Sequence, residues 1–181
     1  MLTWALSLLL NNPHELKKAQ EELHLYIGKD RQVEESDIKN LNYLQAITIE
    51  KLRLYPPSPI IALRAAMEDC TLSNGYRIHA ATHLMVNAWK IQHDERVWPD
   101  PDRFFPERFL TSHKDIDVRG ASLSLQVVHF TLASFLQSFE VAKLSNEDVN
   151  MTESTGLTNL KATPRQVLLT PCLEAKFYEH Q

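Results

Sequence analysis

Glycine is scarce in this chain, with 4 residues in 181. Neither G-x-G-x-x-G nor G-x-x-x-x-G-K-[ST] occurs. A glycine loop that cradles phosphate is therefore excluded. Cysteine is scarcer still, with only Cys70 and Cys172. They form no C-x-x-C and no zinc-type spacing. One disulfide between them is open to the sequence, but nothing else marks an oxidising compartment, so two unlinked thiols are expected. A cationic excess is missing too: 19 basic residues stand against 23 acidic, a net charge of -4. That leaves no electrostatic footprint for nucleic acid. Long apolar runs are also absent. The start, MLTWALSLLLNNP, is too short to span a bilayer. It has no basic leader and no small-x-small cleavage site, so it does not read as a signal peptide. It reads as the end of a buried helix, stopped by Asn11, Asn12 and Pro13. A chain that opens inside a buried helix leads us to expect structure upstream.

What is present is a graded pattern. Residues 13–28, PHELKKAQEELHLYIG, predict a helix, with Pro13 at its first position and Gly28 just past its end. Leu16, Leu23 and Ile27 mark its apolar face. Ser36 is a candidate cap for a short helix that follows. Residues 40–55 predict a strongly apolar helix, ended by Pro56 and Pro57. Then the period changes. SPIIALRAAM, CTLSNGYRIH and THLMVNAWKI predict short strands, with Asn74-Gly75 as a hairpin turn. Residues 94–109, DERVWPDPDRFFPERF, hold three prolines and four aromatics. No regular helix accommodates that, so an aromatic-packed meander is expected. Residues 121–142 predict a helix, with Leu123, Val127, Phe130, Leu132, Phe135 and Phe139 as a wide apolar surface. Strand-like runs follow at 140–144 and 165–170. The fold class read from this order is mixed α+β, mainly α. Residues 1–12 and the helix from 121 are expected to expose apolar faces, and poor solubility follows from that.

Within EKLRLYPP, Glu50 and Arg53 stand three apart and share a helix face. On an exposed helix such a pair adds only tenths of a kcal/mol. Here Ile47, Ile49, Leu52 and Leu54 leave little polar face, so a buried pair is expected, and a buried pair needs further partners. Arg108, in FFPERF behind Pro106 and between Phe105 and Phe109, is the candidate. His79 and His83 suggest a metal pair, but no acid is placed nearby and no metal site is assigned.

EKLRLYPP, then GYRIHAATHLMVNAWKIQHDERVWPDP, then FFPERF, in this order and spacing, resemble the cytochrome P450 superfamily of haem-thiolate monooxygenases. EDCTLSNGYRI and MTESTGLTNLKATP resemble its plant microsomal branch. The likeness runs from Thr3 to about Glu179. It implies the C-terminal part of the P450 fold, as one incomplete domain over 1–181. Its parts would be the end of a central helix (1–12), helices including the E-x-x-R helix (13–55) and a small β-sheet region (58–92). The PERF meander (93–120), a helix after the haem loop (121–142) and C-terminal strands (143–181) would complete it. It implies that Glu50, Arg53 and Arg108 form a buried triad bracing the haem loop. It suggests Arg64 as a haem-propionate partner. It suggests Ile60, Ile61, Gly156 and Leu157 as substrate-pocket residues. HAATH departs from the family's Pro-x-Gly-Thr turn, which leaves that turn's geometry open.

The family's haem loop carries the axial cysteine, and here it is missing. DIDVRG resembles the approach to the loop, and ASLSLQVVHF resembles the helix after it. The deletion falls between Gly120 and Ala121. Neither Cys70, in EDCTL, nor Cys172, near the C-terminus, can replace that ligand, so no catalytic or metal residue is assigned. The oxygen-activating Thr of the central helix is missing as well, since Thr3 lies beyond its expected place. The resemblance implies haem iron as the family's cofactor, and NADPH-cytochrome reductase and a small apolar substrate as its partners. It implies the cytosolic face of the endoplasmic reticulum membrane. Without an anchor, this chain is expected in the cytosol. It is read as an inactive fragment of a plant monooxygenase. The alternatives are a non-enzymatic interaction protein that keeps the scaffold, or an artefact of splicing or gene prediction.

Overall fold

The structure, a computed structural model, describes residues 1–113, 122–156, 158–164 and 166–178. Helices come first: α1 (Leu2–Asn11), α2 (Pro13–Tyr26) and, after a 3₁₀ turn at Glu35–Asn40, α3 (Asn42–Leu54). Strands β1 (Ile60–Ala65), β2 (Cys70–Thr71), β3 (Arg77–Ile78) and β4 (His83–Asn87) follow, then the short α4 (Ala88–Gln92). A second 3₁₀ turn, Pro106–Phe109, precedes α5 (Ser122–Ser138), β5 (Phe139–Lys143) and β6 (Val167–Pro171). The strands make three two-stranded antiparallel sheets: β1 with β4, β2 with β3, and β5 with β6.

The core is helical. Helix α3 packs against α1, α2 and α5. Leu8, Leu9, Leu23, Leu44, Ile47, Leu132 and Leu136 form one buried apolar cluster, which Val141 of β5 joins. Pro13 opens α2 at a position where its missing N–H costs nothing. Gly28 follows with a φ of +77°, which only glycine adopts freely. At the far end of α1, Trp4 stacks on Tyr55 with ring centroids 4.1 Å apart, and its Nε1 donates to the Asn159 carbonyl at 3.1 Å. Asn159 N in turn donates to the Pro57 carbonyl at 2.9 Å, which ties the 150–161 segment to the entry of β1.

Several local expectations need correction. Glu34, not Ser36, caps the first 3₁₀ turn, in a reciprocal box with Asp37. The strand-like THLMVNAWKI splits after Asn87, whose Oδ1 accepts from Lys90 N and starts α4. Helix α5 stops at Ser138, and Phe139 already pairs with Pro171 in a sheet. Helix α1 is not an exposed face: Trp4, Ala5, Ser7, Leu8, Leu9 and Leu10 are all buried. On α5 the apolar surface divides. Leu125, Val128, Leu132, Ala133 and Leu136 are buried, while Leu123, Val127 and Phe130 face out. The uncovered apolar surface lies chiefly elsewhere: from Pro57 to Val97 no described side chain is buried.

Candidate functional site

Helix α3 ends against the 3₁₀ turn of PERF, and Glu50 sits at the contact, fully buried at 0% exposure. Its Oε2 accepts from Arg53 Nε at 2.8 Å. Its Oε1 accepts from Arg53 Nη2 at 2.8 Å, Arg108 Nε at 3.2 Å and the Phe105 backbone N at 3.1 Å. One carboxylate thus meets two guanidinium groups, and the cluster carries a net positive charge. Backbone carbonyls offset the excess. Arg53 Nη1 donates to Gln92 O at 2.8 Å, and Arg108 Nη1 donates to Pro99 O at 3.1 Å. Arg108 Nη2 reaches Asp100 O at 3.4 Å. The planar fork of arginine suits such divided bonding. Aromatic faces close the cluster: Arg53 lies 5.3 Å from the Trp98 ring centre and Arg108 lies 5.6 Å from that of Phe105. The prolines and aromatics of 94–109 therefore hold carbonyls at the right places, with Asp100 at a φ of +50° to make the turn.

A second polar cluster sits beside the first. Lys18 on α2 donates to both Glu15 and Glu107, and the Tyr43 hydroxyl of α3 donates to the same two carboxylates. Burial pushes the Tyr43 phenol up, and its bond to Glu15 adds to that. Burial would raise Glu15, but bonds from Tyr43 and Lys18 outweigh it and hold this carboxyl below its usual range. Glu107 neighbours Arg108, so the PERF turn is held from two sides, by α3 and by α2. Sequence reasoning missed this cluster. Glu15 and Lys18 stand three apart on α2, but Tyr43 and Glu107 are far from them in sequence, so no local period links all four.

Two further buried groups were also missed. Lys51, next to Glu50, is 1% exposed, and burial lowers its amine to about 8. His129 of α5 is buried with Nε2 unpaired, and burial lowers it to about 4.

The other sequence candidates are dispersed. Arg64 is exposed on β1 opposite Leu84 and makes no ion pair among the described residues. Ile60 and Ile61 are exposed on the same strand. Gly156 is exposed, and Leu157 lies outside the described residues, as does the Gly120–Ala121 junction. His79 does have an acid beside it: its Nδ1 lies 3.3 Å from Asp69 Oδ2, contrary to expectation. His83 pairs with Ala65 in the β1–β4 ladder, and no group of three metal-ligating side chains occurs among the described residues.

The donor set does not fit a haem thiolate. Both cysteines are free thiols. Cys70 is exposed on the two-residue strand β2, opposite Ile78. Cys172 follows β6, and its Sγ donates to Thr170 O at 3.7 Å. It borders a groove of about 600 Å3 lined by Leu23, His24, Leu136 and Gln137. That is the C-terminal end of α5, whereas the resemblance implies a ligand ahead of this helix. No helix among the described residues is long and apolar enough to cross a membrane.

The sequence model of the family described as Cytochrome P450 covers residues 1–122. The flavonoid-6-hydroxylase of Mentha piperita is 50% identical over 192 residues, covering 97% of this chain and 37% of that protein. Cytochrome P450 82A1 of Pisum sativum is 51% identical over 195 residues, covering 98% of this chain and 36% of its own length. Because 195 aligned positions exceed the 181 residues present, at least 14 have no counterpart here. The family match ends at residue 122, two past Gly120. Among solved structures, a zebrafish cytochrome P450 with abiraterone superposes with a TM-score of 0.84 at 30% identity. It covers 94% of this chain and 43% of that one. The chain thus spans little more than a third of the length of these curated relatives, and over that span it belongs to the cytochrome P450 family.

Proposed function

We propose that this chain is the braced scaffold of a plant cytochrome P450 monooxygenase and is inactive as it stands. The parent reaction is hydroxylation of a small apolar specialised metabolite, with O2 and electrons from NADPH delivered through a reductase. The relatives named flavonoid-6-hydroxylase and xanthotoxin 5-hydroxylase support that reaction class. The observation that carries the reading is the contrast within the site. The Glu50–Arg53–Arg108 cluster is complete, while neither thiol adjoins the start of α5: Cys70 lies on β2 and Cys172 follows β6. A haem supplies the family's oxygen chemistry through an axial thiolate. The residues here offer it none, so no catalytic step is assigned. Arg64 as a propionate partner, and Ile60, Ile61, Gly156 and Leu157 as pocket residues, belong to the parent enzyme's site in this reading. The endoplasmic reticulum membrane is likewise the parent's location.

The test is spectroscopic. The purified chain, given haem, reduced and exposed to carbon monoxide, is expected to lack the red-shifted Soret band of a thiolate complex. A stoichiometric band of that kind overturns the reading. A second reading, a non-enzymatic interaction protein, is favoured by the uncovered surface of residues 57–97. An artefact of splicing or gene prediction is the third. An in-frame cysteine-bearing stretch in the genomic DNA at the Gly120–Ala121 junction decides for it.

A further inference from the structure

A surface helix ordinarily turns a charged or polar face to water. Helix α2 does so, with Glu15, Lys17, Lys18, Glu21 and Glu22. Helix α5 does not: none of its 17 residues is Asp, Glu, Lys or Arg. Its inner face is taken up by the core, through Leu125, Val128, Leu132 and Leu136. Its outer face still shows Leu123 at 73% exposure, Val127 at 57% and Phe130 at 37%. Ser124, Gln126 and Thr131 flank them, exposed and uncharged.

The spacing along that outer face is ordered. Leu123, Val127, Phe130 and Ser134 stand four, three and four apart, the heptad spacing of a helix-pairing seam. A groove of about 400 Å3 runs beside the far end of the seam, lined by Phe130, Thr131, Ser134 and Phe135. The seam is complementary to itself when reversed. A twofold axis crossing α5 between Val128 and His129 sets Val127 against the partner's Phe130 and Leu123 against the partner's Ser134. Leu123 then meets a small side chain at the groove, and the larger pairs close the centre. A twofold interface brings a surface against its own copy, so charges of one sign near the axis would repel. On α5 there are none. The β1–β4 ladder, also uncovered, lacks this fit, because Arg64 and His83 lie among its apolar residues.

We propose that the outer face of α5 is a self-association surface, and that two copies of this chain pair through it, antiparallel, about that twofold. One helix face makes a small interface, so the dimer is weak and reversible. The inference goes beyond the monooxygenase reading and does not depend on it.

The test follows the mass of the full 181-residue chain by sedimentation velocity over roughly 1 to 100 μM, the range of weak association. The mean mass should rise toward twice that of one chain. Val127→Lys with Phe130→Lys should hold the chain as a monomer throughout, while Leu84→Lys on the ladder should change nothing. Protection of the Phe105 amide, bonded to Glu50, reports that the variants keep the helical core. Cross-linking by a short bis-maleimide tests the register with no lysine in the face. In a Cys70→Ser, Cys172→Ser background, Leu123→Cys with Ser134→Cys should give a covalent dimer. Leu123→Cys alone should not, because its two copies then lie about 16 Å apart along the helix axis. A monomer at every concentration overturns the proposal and leaves this face to another chain. So does open-ended aggregation, association that survives the two lysines, or cross-linking by Leu123→Cys alone to the same extent.

Discussion

At the scale of single residues, the decisive fact is that Glu50 has no solvent and four donor bonds. Removing it strands Arg53 and Arg108 in a buried site. Glu50→Ala is expected to cost about 3–5 kcal/mol in denaturant unfolding. Glu50→Ala with Arg53→Ala should cost less than the two singles together, because the pair is coupled. A coupling energy near zero would mean that the cluster braces nothing. Lys51 is the opposite case. It is buried at 1% exposure, and burial lowers its amine from an ordinary value of 10.5 to about 8. The folded state therefore disfavours the charged form. Above about 10.5 both states are neutral and nothing is lost. Between about 10.5 and 8 the unfolded chain binds the extra proton, and the penalty is complete below 8. Lys51→Met should thus stabilise the chain at neutral pH by up to about 3 kcal/mol, with the gain fading by pH 10.5. Urea unfolding of both proteins across that range measures it, and a pH-independent difference would refute the assignment. The acid–base pair in EKLRLYPP was legible because its spacing and apolar flanks are local. The burial of Lys51 was not, since a lysine among leucines reads equally as a solvated stem.

At the scale of elements, legibility followed range. Pro13, Gly28 and Pro56-Pro57 bound their helices to within a few residues, because proline and glycine act on their own backbone. Asn74-Gly75 lies in the β2–β3 turn, with Gly75 at a φ of +86°. What failed needed tertiary partners. Asn87 ends β4 by capping α4, and Phe139 leaves the helical period to pair with Pro171. The Lys18–Glu107 link joins α2 to the PERF turn across a span that no window covers. Helix α5 carries a test of its own packing. His129 is buried in it with an unpaired Nε2, and its imidazole falls from an ordinary 6.5 to about 4. Folded His129 resists protonation, so stability is lost as pH falls from about 6.5 to 4 and the loss is complete below that. His129→Leu should remove that part of the acid sensitivity, about 3 kcal/mol at pH 4. Carboxylates such as Glu22, which burial raises, also titrate toward this range, but they do so in both proteins, so the difference isolates His129. Acid titration followed by far-ultraviolet circular dichroism checks it, and parallel curves would refute it.

At the scale of the whole molecule, burial is unevenly divided. Helices α1, α2, α3 and α5 and strand β5 share one apolar cluster, which the Glu50 and Glu107 networks tie to the PERF turn. Among the described side chains the 57–97 region contributes nothing buried, although its backbone still forms ladders. Apolar clusters set cooperativity, because each buried side chain is held by the others. Exposed ladders lack that reinforcement and open one by one. The chain alone should therefore show two tiers. Helical ellipticity should be lost in one cooperative transition, carried by α1, α2, α3 and α5. Amides of β1–β4 and β2–β3 should exchange orders of magnitude faster than those of α3, near the rate of an unstructured peptide. The boundary should fall close to Pro57 and again near Trp98, the first residue past the uncovered stretch to be buried. Native-state hydrogen exchange read by peptide mass spectrometry resolves both boundaries. Uniform protection across residues 60–87 in the isolated chain would show that the ladders hold without a cover, and the division argued from burial would fall.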